Sequence, residues 1–90
     1  MTTATLTANV TSTTKDDSWG RTVHHYQISL SNGISAKRQA TGGAQGVAFC
    51  LAMPERTTAS KNIKRLISKW QHVPGYVIVN LETEEVIICG

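Results

Sequence analysis

Asn32-Gly33 forces this chain to turn back on itself. The pair stands between two runs in which apolar and polar residues alternate, and Asn-Gly is a strong short-range signal for a β-hairpin. In an expected strand over 21–30, His24, Tyr26, Ile28 and Leu30 share one side, and Val23, His25, Gln27 and Ser29 share the other. Loop length then decides the register. A two-residue loop would pair Leu30 with Ser35 and Ser31 with Ile34, which mixes the faces. A three-residue loop, Ser31-Asn32-Gly33, pairs Leu30 with Ile34 and Ile28 with Ala36, and sets Ser29 opposite Ser35 and Gln27 opposite Lys37. That register keeps the faces unmixed and places Gly33 in the left-handed position of a bulge. The expected third strand runs from Ile34 to about Gln39.

Residues 3–14 alternate in the same way. Leu6, Ala8 and Val10 oppose a threonine-rich side, so this stretch reads as the first strand, and Lys15-Asp16-Asp17-Ser18 reads as a loop. After Thr41-Gly42-Gly43, residues 44–53 are apolar nearly all round. Their alanine content predicts a short buried helix, weakened by Gly46 and stopped by Pro54. Residues 58–71 predict a second helix, with Thr57 or Thr58 as N-cap. Ile63, Leu66, Ile67 and Trp70 form its single apolar stripe, and Val73-Pro74-Gly75 ends it. Tyr76 to Leu81 and Glu85 to Cys89 predict two more strands, joined across Glu82-Thr83-Glu84. The expected fold class is therefore α+β: one antiparallel sheet with two helices packed on one face, in the order β-β-β-α-α-β-β. At 90 residues, 40% apolar and 17% charged, the chain is expected to form one folded domain, 1–90.

Several chemistries find no residues to carry them. Cys50 and Cys89 lack any regular spacing and read as free thiols in a reducing compartment. His24 and His25 are adjacent on a strand and point to opposite faces, so they cannot chelate one metal together. With His72 they have no carboxylate or cysteine at ligand spacing. The run from Ala40 to Gly46 matches neither a Walker loop nor a dinucleotide fingerprint, so no cofactor is expected. No nucleophile with a positioned base can be assembled, so the chain is expected not to be an enzyme. The N-terminus lacks the basic and apolar regions of a signal peptide. The longest apolar run, Val47 to Met53, is far short of the ~20 residues a membrane helix needs. A soluble intracellular protein is the expectation.

The charge pattern is more informative. The formal net charge is +3. Lys61, Lys64, Arg65 and Lys69 lie opposite or beside the apolar stripe of the second helix with no acid among them. Five of the six acids gather at Asp16-Asp17 and at Glu82, Glu84 and Glu85. Such segregation suits an anionic partner: nucleic acid or an acidic protein groove. The outward sheet face adds Arg21, His25, Gln27, Lys37 and Gln39. Trp19, in a loop beside Gly20 and Arg21, is a candidate anchor for a partner, and Arg21 a candidate for a bidentate or stacked contact. The candidate partner- or RNA-binding residues are Trp19, Arg21, Lys37, Arg38, Lys61, Lys64, Arg65 and Lys69.

The opening Met1-Thr-Thr-Ala-Thr-Leu-Thr-Ala-Asn-Val10, the Lys61-to-Trp70 helix and the His72-Val-Pro-Gly-Tyr76 turn resemble phage-encoded anti-CRISPR proteins of the type I-F group. The likeness is one of overall character, since those proteins share no diagnostic motif. It implies a viral inhibitor acting in the host bacterial cytoplasm. Its partners would be subunits of the type I-F surveillance complex, also called Csy or Cascade, together with the guide RNA backbone. Target DNA would then be kept from pairing with the guide. Many such inhibitors are acidic DNA mimics, whereas this chain is basic, which turns the expectation toward contacts with RNA phosphates or acidic patches. The alternatives are a small basic nucleic-acid-binding module and a phage structural or assembly protein.

Overall fold

The structure, a computed structural model, describes residues 6–41, 43–53 and 56–90. Its elements are β1 (Ala8–Asp16), β2 (Thr22–Leu30), β3 (Ser35–Thr41), β4 (Gly46–Cys50), β5 (Thr57–Ser60), α1 (Ile63–Trp70), β6 (Tyr76–Asn80) and β7 (Val86–Ile88). The fold is α+β, but three parts of the expectation are corrected. There are two antiparallel sheets, β1-β2-β3 and β5-β4-β6-β7, where one was expected. There is one helix among the described residues, where two were expected. The order is β-β-β-β-β-α-β-β.

The first sheet follows the predicted register. Ile28 pairs with Ala36, Gln27 with Lys37 and Ser29 with Ser35. The Leu30 N–H donates to the Ile34 carbonyl at 2.8 Å, and Gly33 takes φ 91°. β1 pairs with β2 from Ala8↔Leu30 to Asp16↔Thr22, so Lys15 and Asp16 continue the strand and the turn falls later. Residues 3–5 of the expected first strand, Gly42 of the glycine turn and Pro54 lie outside the described residues.

The expected helix over 44–53 is replaced by β4, for a reason visible in the packing. Val47, Phe49, Val77 and Val79 of the second sheet pack against Ile28, Leu30 and Ala36 of the first. Ala48 and Ile78, on the opposite face, pack against Leu66 of α1 and Cys89. A strand buried on both faces reads as an unbroken apolar run, and periodicity alone cannot tell that from a buried helix. Gly46 is where α1 settles onto the sheet: a Cβ there would fall on Ile63 Cδ1.

The expected helix over 58–71 is shortened for a related reason. Thr57 to Ser60 form β5, which pairs with Phe49 to Gly46 along the edge of the second sheet. The helix then starts at Ile63, and its cap is Asn62, not Thr57 or Thr58. Asn62 Oδ1 accepts from the N–H groups of Lys64 at 3.0 Å and Arg65 at 3.4 Å. Asn62→Ala is expected to lower stability by about 1 kcal/mol, and Asn62→Gly by only a few tenths, in urea titrations. A neutral Asn62→Ala would contradict this capping.

The apolar stripe of Ile63, Leu66, Ile67 and Trp70 packs as expected, with Trp70 stacked on Tyr76 at 4.5 Å between ring centroids. The molecule is thus layered: first sheet, second sheet, helix. Only the Ala8–Val10 and Ile28–Leu30 end of the β1–β2 hairpin reaches the shared core. Much of its far half is exposed, consistent with overall extents of 51 × 25 × 22 Å. No helix is long and apolar enough to cross a membrane among the described residues.

Candidate functional site

The β1–β2 turn is organised by Asp17. Its Oδ1 accepts from the N–H groups of Trp19 and Arg21, each at 2.9 Å, and its Oδ2 lies 3.2 Å from Arg21 Nε. Gly20, at φ 76°, completes the reversal. Trp19 is therefore held at the tip with 81% of its surface exposed, a display suited to a partner's pocket. Arg21 is spent on the turn. Its Nε faces Asp17, so it is not the free fork that the sequence suggested.

The outward face of the first sheet carries Thr11, Thr13, His25, Gln27, Lys37 and Gln39, set there by strand alternation and the pairing register. These side chains line a groove of about 280 Å³, joined by Tyr26 and Arg38. A second groove, about 330 Å³, runs to the tip past His25, Lys15, Asp16 and Asp17. A third, about 300 Å³, lies between the edge strands β3 and β5, from Arg38 through Thr41 on one wall to Ala59 through Lys61 on the other. Gln39 borders all three, so they adjoin one another around β3.

Arg38 is the unusual member. It stands on the inward face opposite Tyr26, and its Nε is buried with no hydrogen-bond acceptor among the described residues. A buried donor left unpaired costs about 1–3 kcal/mol. Among the described residues the single ion pair is Arg21–Asp17. Lys37, Arg38, Lys61, Lys64, Arg65 and Lys69 have no carboxylate at ion-pair distance there.

The structure separates what the sequence grouped. Lys64, Arg65 and Lys69 are exposed on α1, which covers the face of the second sheet turned away from the first. Lys37 belongs to the opposite outer layer. Lys61, in the turn before α1, joins Arg38 in the groove between the sheets. Lys69 also has a local task, with Nζ 5.3 Å from the centroid of the Trp70 ring.

Ser60 and Thr41, also on that groove, escape the sequence reading because a helix is expected where β5 forms. The β-branched pair Thr57-Thr58 is the signal for a strand edge there. The thiols do not converge. Cys50 pairs with Tyr76, and the Cys89 N–H donates to the Tyr76 carbonyl from the other side. Two strand spacings, roughly 9–10 Å, exceed the reach of a disulfide. Burial pushes the Cys89 thiol up, which makes it a poorer nucleophile. Among the described residues no three His, Cys, Asp or Glu side chains gather as metal ligands. Against known proteins, the chain matches no family model, no curated protein and no solved structure.

Proposed function

We propose that this chain is a non-catalytic, stoichiometric inhibitor that docks on an RNA-containing assembly, the type I-F CRISPR surveillance complex, and blocks pairing of target DNA with the guide. The observation that carries the reading is a set of cations without acidic partners: Lys37, Arg38 and Lys61 line adjoining grooves, and the groove between the sheets has no carboxylate in its walls. Cations left without internal partners are available to phosphates, in contacts that are independent of base sequence and weaken with salt. The likeness of the N-terminal stretch, the helix and the Val73-Pro74-Gly75 turn to type I-F anti-CRISPR proteins supplies the identity of the assembly. Trp19 would add an apolar anchor at the far end.

Mixing the purified protein with the surveillance complex in excess and titrating labelled target DNA tests this directly. The expected result is a loss of target-DNA binding that saturates at a fixed stoichiometry. Undiminished DNA binding removes the proposal.

A second reading is a free RNA-binding module. It draws on the stacked His24–Tyr26 pair, 6.2 Å between centroids, on the half of the hairpin beyond the core. Aromatic pairs on sheets serve as base-stacking platforms in RNA-binding domains. A gel shift with naked single-stranded RNA separates the two: tight binding without the complex favours the module.

A further inference from the structure

The groove where the two sheets meet has the makings of an anion site. Its walls bring Arg38 and Lys61 together with the hydroxyl-bearing residues Thr41 and Ser60. Both cations lack an acidic partner among the described residues, and the buried Arg38 Nε–H lacks any acceptor there. A guanidinium presents Nε–H and one Nη–H as a planar fork matched to two oxygens of a phosphate, and a lysine adds a mobile point charge. We propose that this groove is a phosphate site, with Arg38 as the bidentate ligand and Lys61 as the charge facing it.

The groove shares Arg38 and Gln39 with the groove on the outer sheet face. It is therefore one stretch of a longer polar track, which fits a phosphodiester strand better than a free anion. The inference rests on the RNA-docking reading above and names the place where a backbone phosphate sits.

The test uses the isolated full chain, without the surveillance complex, in NMR titrations with oligouridylate and with inorganic phosphate. Oligouridylate is expected to shift the Arg38 Nε–Hε resonance and the amides of Thr41, Ser60 and Lys61. Arg38→Lys keeps the charge but removes the fork, so it should weaken binding about tenfold at nearly unchanged salt slope. Arg38→Gln with Lys61→Gln should reduce the slope of log K against log salt by about 1.4, at ~0.7 per phosphate contact on a single strand. Shifts at the same resonances with inorganic phosphate alone would uphold the site and assign it to a free anion. Shifts confined to α1, or an unchanged salt slope in the double variant, would overturn it. These outcomes do not depend on inhibition. Intact phosphate binding in a protein that leaves target-DNA binding undisturbed would sink the inhibitor reading alone.

Discussion

Phe49→Ala is expected to bring this protein close to unfolding. Phe49 has no exposed surface and sits on β4, the strand flanked by both β5 and β6. Its ring belongs to the cluster that joins Val47, Val77 and Val79 to Ile28, Leu30 and Ala36 across the two sheets. Truncation removes transfer free energy and leaves a cavity that two sheets cannot easily close, a combined loss of about 3–5 kcal/mol. A domain this small has a total stability near the lower part of the usual ~5–15 kcal/mol range. With a urea slope of roughly 1 kcal/mol/M, the midpoint should fall by several molar. The variant should show little or no native baseline at 25 °C in circular dichroism. A loss below about 1 kcal/mol at unchanged slope would mean that Phe49 does not join the sheets.

The contrast between β4 and the first sheet explains how much of the fold the sequence reveals. In the first sheet one face meets the core and the other meets water, so alternation is written into the residues. The Ser31-Asn32-Gly33 loop then fixes the pairing of Ile28 with Ala36. The stripe from Ile63 to Trp70 is legible for the same reason, since α1 has one dry face. β4 and β6 have none of that contrast. Each is dry on both sides, and the alternation between the face toward the first sheet and the face toward α1 involves apolar residues only. Without β4 as a strand, β5 has no partner, and Thr57 to Ser60 are drawn into the expected helix. The candidate site suffers accordingly. Lys37, Arg38 and Lys61 each stand out by charge, but the meeting of Arg38 with Lys61 depends on β5 lying beside β3 at the sheet junction. That is a tertiary fact with no local signature.

The layering makes the docking proposal sharper, because the two groups of cations can be reversed separately. One set combines Lys37→Glu, Lys61→Glu and Arg38→Gln, and removes the positive charge from the grooves around β3. The other combines Lys64→Glu and Arg65→Glu on the exposed side of α1. The groove set is expected to weaken inhibition about 100-fold or more, since each charge-assisted hydrogen bond it removes is worth about 1.5–3 kcal/mol and glutamate adds repulsion. It should also flatten the salt dependence of the remaining binding by roughly two units. The α1 set should cost less than about tenfold, because a rigid assembly that meets the sheet side feels the helix side only through screened, longer-range charge. Circular dichroism and a urea midpoint for each variant keep misfolding apart from weakened docking. Lys64 and Arg65 are exposed and without carboxylate partners among the described residues, so their reversal tests charge with little disturbance of packing. Full inhibition by the groove set, in a protein that remains folded, would place the docking surface elsewhere. A large effect of the α1 set alone would move it to the helix.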